Sequence, residues 1–487
     1  MHLIQPDLHT RRAFLKRSGQ LAMTGAALPL ALNLAALGEA AAFTGTGYKA
    51  LVCVFLFGGN DYANSVVTYD DPSYNLYNTI RGGGAGQTAG GIALAKADLA
   101  ATLLTPAVAP MDVLGQPRQY ALHPSMTGLA GLFNSGQAAV QLNVGPLVVP
   151  LTRAQYNSAN RTLYPLPPQL FSHNDQQSVW QSSSAEGSKI GWGGHIGDLA
   201  LGGNSKSVFT CMSVAGNAVF LSGDTALQYQ VSTEGAIKIH PAVDSNVYDS
   251  VAVRNAINFL IQQPRGHLLE NEYTRVTQCA IEAEEYVTRA LAGDAPATEF
   301  PTDPLSQQLK MVARLIKGRS TLGAARQVFF VSLGGFDLHD SLNAQQPALM
   351  DRVSAAMTAF YKATVEMGVQ NHVTAFTASE FGRALASNGD GSDHGWGSHH
   401  WVVGGAVKGR AFYGTAPPVS VTNTAAPQDQ WHVGQGALLP STSVDQYAAT
   451  LAKWFGVADA ELADILPNLS HFGGAGYPAN LGFMAPS

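Results

Sequence analysis

The chain predicts an α/β fold: a central, mostly parallel sheet with helices on both faces and a small insertion lobe. Three observations carry that expectation. Continuously apolar runs of strand length recur at residues 50–57, 138–144, 328–333 and 373–377, and unbroken apolarity marks strands covered on both faces. Between the last two runs, Leu349, Val353, Met357, Phe360 and Val365 follow helical spacing over 347–367, which reads as one βαβ crossover. Short polar clusters close three of the runs: Gly58-Gly59-Asn60-Asp61, Gly334-Gly335-Phe336-Asp337-Leu338-His339 and Ser379-Glu380-Phe381-Gly382-Arg383. Such strand ends face one crevice in open α/β sheets.

Taken in order, residues 1–42 read as a targeting segment. Arg11-Arg12-Ala13-Phe14-Leu15-Lys16 is a twin-arginine pattern, a weakly apolar stretch covers 21–37, and Ala40-Ala41-Ala42 is a cleavage candidate. The expectation is export in the folded state to the periplasm or beyond. Gly25, Pro29, Asn33 and Gly38 weaken any spanning helix there, and no integral membrane segment is expected after signal removal. The mature domain is expected to cover 43–487, with a subordinate lobe within about 146–325. Residues 81–91 read as a glycine-rich loop, 146–169 as an extended excursion containing Pro-Leu-Pro-Pro, and 207–223 as a hairpin. Helices are expected over 305–316 and after Ser443-Val444-Asp445-Gln446, a capping-box pattern followed by Val444, Tyr447, Leu451 and Phe455.

Composition narrows the class of function. Hydrophobic residues make up 46% of the 487 and charged ones 13%, which suits a large packed core. The formal charge is -6; residues 1–42 hold four Lys+Arg against two Asp+Glu, so their removal leaves -8. No dense basic run occurs, and a nucleic-acid partner is not expected. Cys53, Cys211 and Cys279 allow at most one disulfide, with no zinc-knuckle or haem-attachment spacing.

The polar clusters supply the candidate chemistry. Asp61 follows two glycines that let backbone approach a ligand closely, and can bind a cation or simply cap the next helix. Asp337 and His339 repeat that context. Glu380 is a candidate ligand or base, and Arg383 can either pair with it or hold an anionic substrate through its planar fork. Asp393, His394, His399 and His400 are the densest cluster in a chain with 14 histidines. Mixed His and carboxylate sets suit zinc, manganese or iron better than calcium. Ser172 and His173, within Phe171-Ser172-His173-Asn174-Asp175, stand at a strand-to-helix turn; Ser172 reads as a metal-assisted nucleophile or as an N-cap.

Together these residues resemble the bacterial family catalogued as domain of unknown function 1501, a branch of the alkaline phosphatase and sulfatase superfamily. The matching motifs lie at 54–61, 171–180, 331–339, 379–383 and 393–409, with the helix at 443–455. The resemblance implies an alkaline phosphatase-like three-layer sandwich with a divalent-metal site at the strand ends. It implies metal ligands at Asp61, Asp337, His339, Glu380, His394 and His399 or His400, and a nucleophile near Ser172, with His173, Arg383 and His400 in supporting catalytic roles. Zinc is the first expectation for the metal, with manganese, iron, magnesium or calcium as alternatives. The implied activity is hydrolysis of a phosphate or sulfate ester; the alternative is a binding or assembly protein with an exported partner, since relatives are often encoded beside another exported family. Departures are visible: Glu380 stands where phosphatases and sulfatases usually carry an Asp-His pair, and Asp337 and His339 are unusually close. No formylglycine motif is present.

Overall fold

The computed structural model describes residues 47–82, 91–239, 245–474 and 476–486. The twin-arginine segment and most of the glycine-rich loop lie outside these residues. The main sheet comprises β1 (Lys49–Leu56), β2 (Ala138–Gly145), β3 (Cys211–Ser213), β4 (Gln228–Ser232), β5 (Gly235–Ala236), β6 (Arg326–Leu333), β7 (Val373–Ala378), β8 (Ser398–Val403), β9 (Phe412–Tyr413) and β10 (Thr442–Ser443). Their order is β9-β2-β8-β7-β1-β6-β3-β4-β5, with β10 also beside β2.

β1 is the centre of this arrangement and pairs in parallel with both β6 and β7. Seven of its eight residues are buried, which is why its sequence is continuously rather than alternately apolar. β6 pairs in parallel with β3, and β3 with β4. β8 runs antiparallel to both β7 and β2. This reversal matters for the site. The carboxyl ends of β1, β6 and β7 lie at one edge, and the start of β8 arrives at that same edge, bringing the preceding segment with it.

Helices cover both faces, completing three layers. On one face α1 (Thr127–Asn134), α5 (Leu268–Leu291), α6 (Pro304–Lys317) and α7 (Leu342–Glu366) pack over Val52, Val54, Phe329 and Val331. On the other, α2 (His173–Ser182), α3 (Trp192–Ala200) and α8 (Val444–Phe455) pack over Leu51, Cys53, Phe55 and Phe330. A further helix, α4 (Val251–Gln262), buries none of its residues. The capping box of α8 is formed: Gln446 N–H donates to Ser443 Oγ at 3.0 Å, and Ser443 N–H to Gln446 Oε1 at 2.8 Å. The α/β class and the four long strands match the expectation.

One expectation needs correction. Residues 207–223 are not a hairpin: β3 pairs in parallel with β6, and short 3-10 turns flank it. Its three residues, buried on both faces, are too short to show a period. Residues 146–325 divide between the main layers and an exposed part. They contribute β3 to β5, α2, α3 and α6 to the main layers, and α4 with the first half of α5 forms the exposed part. Cys53, Cys211 and Cys279 are free thiols, the first two buried.

Candidate metal centre

The site is built at the strand-end edge around Gly58, just beyond β1. Gly58 has φ +120°, and a Cβ there would stand 2.3 Å from the Asp337 backbone nitrogen, so only glycine lets the loop after β1 touch the loop after β6. Its N–H donates to Glu380 Oε1 at 2.9 Å, and its carbonyl accepts from Arg383 Nη1 at 3.1 Å. One residue thus ties the ends of β1, β6 and β7 together.

Three imidazoles and one carboxylate converge on this point. His173, the first residue of α2, Asp337 and His394 present ligand atoms that all lie within 4.8 Å of one another. His339 joins them: its Nε2 is 2.9 Å from His394 Nε2 and 3.1 Å from Asp337 Oδ1. Each histidine turns its other ring nitrogen to an oxygen. His394 Nδ1 lies 2.7 Å from the Phe171 carbonyl, His173 Nδ1 2.9 Å from Glu380 Oε1, and His339 Nδ1 3.4 Å from Asp393 Oδ1. A carbonyl or carboxylate oxygen only accepts, so Nδ1 of His173 and His394 carries the proton and the neutral ring keeps its lone pair on Nε2. His173 Nε2 is buried and lacks a hydrogen-bond partner.

The electrostatics follow from these contacts. The hydrogen bond to Glu380 raises the His173 pKa, against a smaller opposing effect of burial. Burial lowers that of His394. Burial alone would raise the Asp337 carboxyl, but the hydrogen bond and charge of Arg383, 2.6 Å away, outweigh it and hold Asp337 at about 2. Asp337 is therefore an anion at neutral pH, facing the Nε2 atoms of three imidazoles.

The other residues singled out in the sequence stand in different places. Glu380 is fully buried and faces the centre through His173; it also accepts from Gln177 Nε2 at 3.1 Å. Arg383 is buried too, and its fork is spent on Asp337, Gly58 and the Ser392 carbonyl, so it braces the centre from behind. Asp61 caps the short helix Tyr62–Ser65, accepting from Ala63 and Asn64 N–H at 3.0 Å. It also accepts from Arg81 Nη2 at 2.7 Å and Ser392 Oγ at 2.9 Å, which uses all its oxygen lone pairs. Ser172 is the N-cap residue of α2, and its hydroxyl donates to Asp175 Oδ2 at 2.7 Å.

His399 and His400 are consecutive on β8, so they point to opposite sides of the sheet. His399 Nδ1 accepts from Asn143 N–H at 3.0 Å beside Tyr62. His400 lies between Trp180 and Tyr447, with Nδ1 3.3 Å from Thr377 Oγ1. Burial pushes both down to about 3, so both are neutral core histidines. The structure does not bring Asp61, His399 or His400 into the ligand cluster. It adds the Phe171 carbonyl, which orients His394, and Gln177, which holds Glu380, and it sets Asp393 behind His339. Phe171 adopts φ +72°, a left-handed conformation no sequence pattern announced.

A second trio among the described residues, His195, Asp198 and Asp224, has weaker standing. Asp198 accepts from the N–H groups of Asp224, Thr225 and Ala226, and so closes a turn.

Residues 48–466 match the family model described as protein of unknown function (DUF1501). The chain belongs to this family. Among curated proteins none matches. Of solved structures, the PsFucS1 sulfatase from Pseudoalteromonas sp. is 10% identical with a TM-score of 0.33, covering 93% of this chain and 76% of that one. A Bacteroides thetaiotaomicron protein from work on glycosaminoglycan metabolism is also 10% identical, with a TM-score of 0.31 and coverage of 87% and 74%. At these scores neither bears on the function of this member of the family.

Proposed function

We propose that this protein is an exported, metal-dependent hydrolase of anionic esters, phosphate or sulfate. The observation that supports it best is the convergence of three imidazole nitrogens on the Asp337 carboxylate. For His173 and His394 the tautomer that leaves Nε2 facing the centre is fixed from behind. The donors fit a borderline divalent ion such as zinc, and the buried Nε2 of His173, which makes no hydrogen bond and lies 3.4 Å from Asp337 Oδ2, is an atom such an ion would satisfy. His173, Asp337, His394 and His339 would hold it. When bound, a divalent ion supplies Lewis acidity toward an ester oxygen and a nucleophile at neutral pH.

The chain's own contributions are positional. Glu380 and the Phe171 carbonyl hold the Nδ1 proton of His173 and His394 and so aim Nε2 of each ring at the centre, and Arg383 keeps Asp337 ionised. Ser172, between Phe171 and His173, is the side-chain hydroxyl nearest in sequence to the centre. Its hydrogen bond to Asp175 offers an acceptor for its proton. The twin-arginine pattern at Arg11-Arg12 supports export as a folded, metal-loaded protein. Hydrolysis of aryl phosphate and aryl sulfate esters by the purified protein tests the proposal. Activity should be lost on chelation and in His394→Ala; full activity in that variant would refute it.

One observation favours a second reading, a binding or assembly protein that keeps the fold without turnover. Arg383 and Arg81, the buried guanidinium groups beside the site, are both spent on protein acceptors. A single stoichiometric exported partner in a pull-down, with no ester hydrolysed, would favour that reading.

A further inference from the structure

The C-terminal ends of α5 and α6 meet at Gly318, where a Cβ would stand 2.8 Å from both the Cβ and the carbonyl oxygen of Ala290. Beside this contact lies a cavity of about 190 Å³, whose polar lining is Arg289, Asp294, Arg314, Lys317, Ser320 and Thr321. Three cations share it with one carboxylate, in a chain whose formal charge is -6. Residues 318–321 precede β6, so the cavity lies at the sheet edge opposite the metal centre. The eight residues of β6 put about 26 Å between the two.

Cations at helix C-termini are first of all partners of the last carbonyls. Arg314 Nη2 donates to the Leu291 carbonyl at 2.8 Å, Lys317 Nζ to the Ala295 carbonyl at 3.1 Å, and Arg289 Nε to the Glu285 carbonyl at 3.4 Å. A guanidinium has five N–H donors and an ammonium three, so that role leaves most of them unused. The ion pairs of lysine and arginine among the described residues involve other side chains than these three. The Tyr286 ring, 4.3 Å from Arg289, fixes that guanidinium in place. Ser320 and Thr321 add hydroxyls and backbone N–H groups that meet no acceptor among the described residues.

We propose that this cavity is a second, non-catalytic site, for a small tetrahedral dianion: sulfate or hydrogen phosphate. The surplus of two positive charges matches a dianion, and guanidinium forks with hydroxyl and N–H donors match its oxygens. The space equals about six waters and is smaller than a drug-sized pocket, which suits a free anion. A polyanion or an anionic lipid surface is disfavoured, because the basic character is local: close by, the Glu366 carboxylate accepts from the N–H groups of Ala297 and Thr298 at 2.7 and 2.9 Å. The separation from the metal centre keeps the bound anion away from any reacting group, so the site exists whether or not that centre turns over.

Isothermal titration calorimetry of sodium sulfate and sodium phosphate into the full chain, with sodium chloride as the control salt, tests this. The wild type should bind one equivalent of either anion, and His394→Ala, which disables the metal centre, should keep that binding. Lys317→Gln and Arg289→Gln, both at exposed positions, should each weaken it about tenfold or more with unchanged thermal midpoints in the absence of anion. Lys453→Gln, at a lysine elsewhere, should bind as the wild type does. A wild type that binds neither anion at millimolar concentration overturns the proposal. So does binding that equimolar chloride displaces, or binding that survives both pocket variants and is lost in His394→Ala.

Discussion

Replacing Glu380 by Gln separates the role of its charge from the role of its shape. Glu380 Oε1 accepts from Gly58 N–H, His173 Nδ1 and Gln177 Nε2, and its Oε2 lies 3.4 Å from Ser379 Oγ. A glutamine can keep its oxygen on the first three and turn its amide toward Ser379, whose hydroxyl still donates to the Leu56 carbonyl. The fold should therefore survive. What is lost is the charge assistance on the His173 bond, worth about 1.5–3 kcal/mol against about 0.5–1.5 for a neutral acceptor. The difference of about 1.4 kcal/mol is a factor of about 10 in metal affinity, at the lower end of the effect of removing groups that orient metal ligands. Competition against a chromophoric chelator at neutral pH measures it, with His173→Ala as the reference for complete loss of one ligand. Wild-type metal affinity in Glu380→Gln, with the fold intact, would refute the claim that Glu380 acts through His173.

Further outcomes follow from the same geometry. His400 falls from 6.5 to about 3 on folding, so the unfolded chain binds the extra proton. That stability is complete above about pH 6.5 and is lost as pH falls toward 3, at about 1.4 kcal/mol per pH unit inside the window. Urea unfolding of His400→Gln should show a slope between pH 6 and 4 shallower by about that amount; an unchanged slope would remove His400 from the account. Gly58→Ala should cost about 2–5 kcal/mol, combining positive φ with overlap against the Asp337 backbone, and should abolish metal binding. A thermal midpoint equal to wild type would contradict the packing described. Arg383→Lys replaces a forked donor by a point charge and should cost about 1.5–3 kcal/mol in urea unfolding. It should also weaken metal binding, since Asp337 loses the group that holds its carboxyl low; retention of both would assign Arg383 no bracing role.

The long strands were legible because burial on both faces leaves an unbroken apolar run, as in β1 and β7. β3, with three residues, could not be read that way, since its pairing with β6 is set by a partner more than a hundred residues distant. At the site, Asp337, His339 and His394 were legible as strand-end polar residues. His399 and His400 shared that composition, but adjacent residues on a strand face opposite ways, so both could not have entered one cleft. Asp61 had the alternative of an N-cap, and Arg81, twenty residues on, decides its environment through a contact no local pattern encodes. The part played by Phe171 is a backbone carbonyl in a left-handed residue, which carries no side-chain signature.

The central claim is that a divalent ion binds at the ends of β1, β6 and β7. Anomalous X-ray scattering from crystals of the purified protein, collected across the metal's absorption edge, tests it most directly. The account predicts one peak about 2.0–2.2 Å from Nε2 of His173 and His394 and from a carboxylate oxygen of Asp337, with His339 completing the set. A metal-loaded crystal with its peak at His195, Asp198 and Asp224, or none at either place, would contradict it.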